Sequence, residues 1–290
     1  MNLLKKLLAL FGLKWNPFSP ELPFEALLPT PKIENFCWRI EHALVPSGGF
    51  SLVHGAPGLG KSKALHILSD RLRSRGELVV GEMEHPQSNI ADFYREMGDL
   101  YNVPLKPHNR WGGFKALREC WKAHIDTTLI RPILLIDEAQ EMTHAVISEL
   151  RLLSSTRFDS RIILAVVLAG DDRLLNRLAD EELLPLGSRL RVRLRLEPAT
   201  RDELIALLKH LMTSAGAPRL MTPELMAILA DHSAGNPRIL AQLSEELLIA
   251  GAQRECTQLD EKLYLEVFDP VRAVKATPAK SGHRSTRGGR

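Results

Sequence analysis

Residues 54–64 read His-Gly-Ala-Pro-Gly-Leu-Gly-Lys-Ser-Lys-Ala, and within them Gly55–Ser62 satisfies G-x-x-x-x-G-K-[ST]. This spacing constrains the chain more than any other feature. The glycines permit a tight turn whose successive N–H groups point inward, which suits phosphate oxygens. The lysine places a cation on the β- and γ-phosphates, and the hydroxyl after it is a ligand for Mg²⁺. Such a loop has to link a buried strand to a helix. Phe50-Ser51-Leu52-Val53-His54 reads as the strand, and Ala64, Leu65, Ile67, Leu68 and Leu72 then recur at helical spacing. The N-terminus of that helix is itself an anion site. Gly55, Ala56, Pro57, Gly58, Leu59, Gly60, Lys61, Ser62 and Lys63 are therefore the expected nucleotide contacts, with Ser62 also on the metal.

A second stretch supports the first. Ile133-Leu134-Leu135-Ile136-Asp137-Glu138 is an apolar run ending in two acids. A continuous apolar run suits a strand covered on both faces in a parallel sheet, and ligands of such sheets lie at the carboxyl ends of the strands. Asp137 is expected beside Ser62, holding Mg²⁺ directly or through water. Glu138 is expected to orient the attacking water. Together the two stretches point to ATP and Mg²⁺ as ligands and to ATP hydrolysis as the chemistry, with Lys61 and Glu138 in the catalytic machinery.

Four segments are expected. Residues 1–45 form a lead whose middle is held extended by Pro17, Pro20, Pro23, Pro29 and Pro31. Residues 46–197 alternate strands and helices, hence an α/β layer built on a parallel sheet. Its strands fall at 50–54, 78–83, 133–136, 162–168 and 191–196. Residues 90–101 and 113–125 look helical, with a Pro/His/Trp/Gly loop between them. Residues 198–268 carry helix starts only: a capping box at Thr200 and Glu203, Thr222-Pro223, Asn236-Pro237 and Thr257. They read as a helical lid. Residues 269–290 hold six Lys/Arg and one acid, a +5 tail on a chain of net charge +3. Its Pro/Gly/Ser/Thr composition builds no core, so it is expected to be disordered. It is either simply solvated or in contact with phosphates or an acidic partner.

Cys37, Cys120 and Cys256 lie far apart in sequence and match no metal or redox spacing. No apolar run approaches the ~20 residues that span a bilayer. Residues 1–11 read as an amphipathic helix packed on the protein, with membrane-surface binding as the alternative. A cytoplasmic location is expected.

Several charged residues carry more than one reading. Arg238 would lie in the first turn of a helix, where a cation opposes the helix dipole. A nucleotide phosphate would offset this, and a pairing with Glu245 or Glu246 is the other possibility. In ring-forming ATPases an arginine just before the fifth strand reaches the neighbour's γ-phosphate, and either Arg189 or Arg191 is a candidate for that place. Arg191, Arg193 and Arg195 share one strand face, as charge protecting an edge strand or as a subunit or DNA contact. Asp171 ends the fourth strand, where it either faces the phosphates or caps the next helix, a role Asp172 could also fill. Trp111, Phe114 and Trp121 lie near basic residues, but their helical spacing points to core packing rather than nucleic acid.

The order of these motifs resembles AAA+ ATPases, in particular the ExeA-type (general secretion pathway protein A) group and the TniB/TnsC-like transposition ATPases. The resemblance rests on Phe11-Gly12-Leu13 with Asn16-Pro17-Phe18-Ser19, Leu135-Ile136-Asp137-Glu138-Ala139-Gln140, Glu149-Leu150-Arg151-Leu152-Leu153-Ser154, Leu168-Ala169-Gly170 and Gly235-Asn236-Pro237-Arg238. It implies a five-stranded sheet of order 5-1-4-3-2 and an ATP site containing Lys61, Ser62, Asp137 and Glu138. It also implies an arginine finger near Arg189 and Arg238 as the lid sensor. The chain departs from the group at Asp171, where the group usually has glutamine. The absence of a membrane span and of a peptidoglycan-binding region favours the transposition branch. That branch implies a homo-oligomer, ring or filament, that assembles with ATP on duplex DNA, contacts its backbone without sequence preference and recruits a transposase. The alternatives are an ATP-dependent scaffold of a secretion or cell-envelope system, and a helicase loader.

Overall fold

The computed structural model describes residues 3–268 except 85, 87–88, 106–108 and 158–159. The basic tail at 269–290 therefore lies outside the described residues. In chain order the elements are α1 (Leu3–Phe11), α2 (Pro31–Arg39), β1 (Gly49–His54), α3 (Lys61–Arg73), β2 (Val80–Met83), α4 (Ile90–Leu100), α5 (Arg110–Thr128), β3 (Ile133–Ile136), α6 (His144–Leu153), β4 (Ala165–Gly170), α7 (Asp172–Ala179), β5 (Leu190–Arg195), α8 (Arg201–Ser214), α9 (Pro223–His232), α10 (Pro237–Gln253) and α11 (Glu261–Phe268). Two compact units result. One is Pro23–Ala199 together with Asn236–Arg238. The other combines the chain up to Leu22 with Thr200–Gly235 and the chain from Ile239.

The first unit is built on five parallel strands in the spatial order β2-β3-β4-β1-β5, which is the order 5-1-4-3-2. Apolar side chains alternate between its two faces, as the period of two requires. Phe50, Leu52, Leu134, Ile136, Val166 and Leu168 pack with Phe93, Leu117, Trp121 and Leu150 of α4–α6. Val53, Ile133, Leu135, Ala165, Val167 and Val192 pack with Ile33, Phe36, Leu65 and Leu68 of α2 and α3. The central strands β1, β3 and β4 are buried throughout. Edge strand β5 is not. Arg191, Arg193 and Arg195 are exposed, while Val192 and Leu194 are buried. One of these arginines already has a structural use, since Arg191 Nη1 donates to Gly48 O at 3.0 Å.

Some boundaries differ from those the sequence suggests, each for a local reason. Ile162 leaves the fourth strand because it pairs with Ser155 in a two-residue antiparallel hairpin. Trp111 and Gly112 belong to α5 rather than to a loop. The Asn109 side chain accepts from Gly112 N at 2.8 Å and starts the helix early. The last helix starts at Glu261, not near Thr257, and Asp260 accepts from Leu263 N at 3.0 Å. Core packing holds for Trp121 and partly for Phe114, but Trp111 is 75% exposed. It stands roughly 80° round the helix from Trp121, stacked on Phe114 with centroids 5.7 Å apart.

Glu149 of α6 is 2% exposed. It accepts from Tyr94 Oη at 2.6 Å and from Arg110 Nε at 2.9 Å. Burial pushes its carboxyl up, but the bonds from Arg110 and Tyr94 outweigh burial and hold it below the usual carboxylate range. A carboxyl lowered in this way stabilises the fold above its unfolded pKa, and the contribution is lost as pH falls through the folded value. Glu149→Ala is expected to cost about 1–3 kcal/mol near neutral pH. The deficit should shrink below the ordinary carboxylate pKa. Urea midpoints of both proteins at neutral and acidic pH check this.

In the second unit, the capping box forms as its spacing suggests. Thr200 accepts from Glu203 N, and Glu203 accepts from Thr200 N at 2.7 Å. Thr222 caps α9, with Pro223 at the first position. The first 22 residues join this unit. Lys14 N donates to Ala215 O at 2.9 Å, and Asn16 Nδ2 donates to Glu245 Oε1 at 2.8 Å. Gly251 leaves room on α10, since a Cβ there would stand 2.3 Å from Leu259 and 3.5 Å from Phe11. Among the described residues, no helix is long and apolar enough to cross a membrane.

Candidate functional site

The parallel register brings three strand ends to one edge of the sheet. His54 lies level with Gly170, and Ile136 lies level with Leu168. The segments that follow β1, β3 and β4 therefore leave the sheet side by side. They carry Gly55–Ser62, Asp137 with Glu138, and Asp171.

The loop after β1 depends on its glycines. A Cβ at Gly55 would stand 2.6 Å from the carbonyl oxygen of Leu196, so the close approach admits only glycine. Gly58 (φ +85°) and Gly60 (φ +98°) are left-handed, a conformation that costs other residues roughly 1–2 kcal/mol. A Cβ at Gly60 would meet nothing within 4 Å. Ala56 and Pro57 are exposed, Leu59 is half-buried and Leu59 N donates to Ala56 O at 3.4 Å. Lys63 is half-buried, and burial lowers its pKa.

Lys61 is only 5% exposed. Its Nζ donates to the carbonyls of Gly55 at 3.0 Å and Ala56 at 3.4 Å. Among the described residues it makes no ion pair. A buried ammonium held by neutral carbonyls alone is incompletely compensated, and an anion in the loop would complete it. Ser62 opens α3 with its side chain exposed, and Asp137 is half-buried at the end of β3. Asp137 Oδ1 accepts from Glu138 N at 2.9 Å. Neither Ser62 nor Asp137 is tied to a cation among the described residues. A hydroxyl and a carboxylate are the hard oxygen donors that Mg²⁺ takes, usually one or two from protein and the rest from phosphates and water. The donor set fits Mg²⁺–ATP.

Glu138 is exposed, with a left-handed backbone at φ +48°. Gln140 Nε2 donates to its Oε2. Gln140 is buried, and its Oε1 accepts from Asp171 N at 3.2 Å. Asp171 is the N-cap of α7, accepting from Arg173 N at 2.9 Å, and its other oxygen accepts from Arg173 Nε at 2.9 Å. Its carboxylate is thus engaged within its own turn. Asp172 does not take the capping role.

Asn236 and Arg238 belong to the same unit and meet the loop. Asn236 Nδ2 donates to Pro57 O at 3.1 Å, and Arg238 N donates to Gly58 O at 3.3 Å. A Cβ at Gly58 would stand 2.4 Å from Asn236 Oδ1. The Arg238 side chain is exposed and makes no ion pair among the described residues, so no pairing with Glu245 or Glu246 is seen. Arg189 is placed elsewhere. It precedes β5, and Leu190 lies level with Phe50 at the opposite end of β1. That is roughly 16 Å, five strand residues, from the phosphate loop. The structure does not bring Arg189 to this chain's own loop.

Two features of the site escape sequence reasoning. Gln140 is visible there only as part of a motif, and Asn236 only as a helix cap. The i, i+4 pair Arg173 and Arg177 is the signal that a clamp exists. Arg177 donates to Gln140 O at 2.5 Å and Met142 O at 2.7 Å, and Arg173 reaches Glu141 at 2.9 Å.

Residues 46–178 match the AAA domain family. The chain is 27% identical over 248 residues to general secretion pathway protein A of Aeromonas hydrophila, covering 84% of this chain and 44% of that protein. It thus spans less than half the length of that relative. Among solved structures, Cdc6p from Pyrobaculum aerophilum superposes with a TM-score of 0.68 at 17% identity, over 90% of this chain and 74% of that one. ORC2 from Aeropyrum pernix, in its ADPNP–ADP complexes, gives 0.67 at 14% identity, over 91% and 74%. At these identities the likeness is one of fold. The chain thus has the AAA+ P-loop fold, its residues 46–178 match the AAA domain, and it is distantly homologous to general secretion pathway protein A.

Proposed function

We propose that this protein binds and slowly hydrolyses ATP and uses the nucleotide to assemble, as a scaffold of a secretion or cell-envelope system. The observation that carries the nucleotide site is the buried Lys61 ammonium, whose partners among the described residues are the carbonyls of its own loop. In this reading Lys61 and the loop from Gly55 to Lys63 hold the phosphates. Ser62 and Asp137 hold Mg²⁺, and Arg238 contacts phosphate from the helix start beside Gly58. When bound, Mg²⁺–ATP supplies the γ-phosphoryl group and neutralises its charge. Glu138 orients a water for in-line attack on that phosphorus as the bond to the bridging oxygen of ADP breaks. Arg189 lies a strand's length from the loop, so any role as an arginine finger is toward a second copy.

Sequence alone ranks a regulator of transposition on duplex DNA first. The relative found is instead a secretion-pathway protein, and nothing specific supports a transposase partner. The scaffold reading therefore comes first, and duplex DNA becomes one arm of the test. Sedimentation of the purified chain with ATP or ADP, with and without duplex DNA, separates the two. ATP alone is expected to shift the protein to larger species, with DNA making no difference. Assembly that needs DNA and weakens with salt would favour the DNA reading. If ATP leaves the oligomeric state unchanged throughout, assembly by nucleotide is wrong.

A further inference from the structure

Gln140 occupies a position that requires one side chain to donate on one side and accept on the other. Its neighbour on one side, the Glu138 carboxylate, only accepts hydrogen bonds. On the other side, the Asp171 N–H only donates. One side chain bonds both, so its nitrogen faces Glu138 and its oxygen faces Asp171. A glutamate at 140 would still accept from Asp171 N, but it would set carboxylate against carboxylate. A leucine of similar volume would make neither bond. The fit is close, since a Cβ at Gly170 would stand 2.7 Å from Gln140 Oε1.

Gln140 is buried where Glu138 is exposed. The Gln140 carbonyl is held by Arg177, and Arg177 and Arg173 tie the 140–142 turn to α7. Glu138 is exposed, and an exposed glutamate side chain samples several rotamers unless a partner selects one. Among the described side chains, Gln140 is its hydrogen-bond partner. Asp171 N directly follows Gly170, the last residue of β4, at the edge of the sheet where the phosphate loop begins. A shift of that strand end displaces the Gln140 amide and with it the Glu138 carboxylate.

We propose that Gln140 is a positioning residue that orients Glu138 for water activation and links it to the carboxyl end of β4. This rests on the role given to Glu138 above. The test is steady-state ATP hydrolysis by the full chain carrying Gln140→Leu, Gln140→Glu or Glu138→Gln, with nucleotide affinity and thermal midpoint measured on each. Gln140→Leu is expected to lower kcat by roughly 10- to 100-fold, as loss of a supporting contact typically does. KM, ATP affinity and the thermal midpoint should stay near those of the parent. Gln140→Glu is expected to move the acidic limb of the pH–rate profile upward, because two adjacent carboxyls share a proton. An inactive Glu138→Gln beside a fully active Gln140→Leu overturns the assignment of Gln140 alone. Parallel losses of kcat, affinity and thermal midpoint in both Gln140 variants reduce it to a structural residue and also overturn it. A fully active Glu138→Gln removes the group through which Gln140 is argued to act, so both roles fall.

Discussion

Lys61→Ala is expected to lower ATP affinity by on the order of 100-fold, the loss of one buried charge-assisted contact of about 3 kcal/mol. The structure adds a less usual expectation. Without nucleotide, the Lys61 ammonium is buried and, among the described residues, bonded only to Gly55 O and Ala56 O. Removing it relieves a desolvated charge, so the variant should be at least as stable as the parent in the absence of ATP. Millimolar ATP should then raise the thermal midpoint of the parent much more than that of the variant, because stabilisation by a ligand that binds the folded state grows with its concentration relative to Kd. Thermal scans with and without Mg²⁺–ATP, paired with a titration of a fluorescent ATP analogue, check both parts. A variant that binds ATP as tightly as the parent would show that the loop is not the nucleotide site.

Glu138→Gln is expected to have the larger effect on turnover. A group that orients or accepts from the attacking water contributes about 10²- to 10⁴-fold, and kcat should fall within that range. ATP affinity should be unchanged, since Glu138 is exposed and outside the phosphate loop. Glutamine keeps the side-chain length and can still meet the Gln140 amide through its oxygen, so folding is not at issue. Assembly driven by ATP should persist longer in this variant, which makes the sedimentation experiment sensitive to hydrolysis as well as to binding. Single-turnover hydrolysis alongside equilibrium binding checks the prediction. A parent-like rate would place water activation on another residue.

The sheet and its phosphate loop are legible because their signals are local. An apolar run ending in Asp137 and Glu138 has few other uses, and Gly55–Ser62 brings its own strand and helix. The five strands appear within a few residues of their observed ends, and the helix starts at Thr200 and Thr222 are read from their caps. The hairpin pairing of Ser155 with Ile162 and the start of α5 at Asn109 are not legible. The first depends on a partner strand, and the second on which of several polar residues takes the cap. Trp111 shows the limit of periodicity. Spacing identifies which side chains share an arc of a helix, but not where the buried arc stops. Trp111, in the first turn and at the edge of that arc, is left outside.

Sequence by itself determined the chemistry available to this protein: a phosphate loop, two acids after a buried strand, and an arginine beside a helix start. Those features follow from residue type and short spacing. The tertiary structure decided which of them meet. Parallel strand register aligned Gly55, Asp137 and Asp171 at one edge and left Arg189 at the other. Packing of the β4–α7 turn against the 140–142 turn joined residues 31 apart in sequence through the two ends of the Gln140 amide. It also brought Asn236 to Pro57 O across 179 residues. No local pattern encodes such contacts, because each depends on where two distant backbones come to rest.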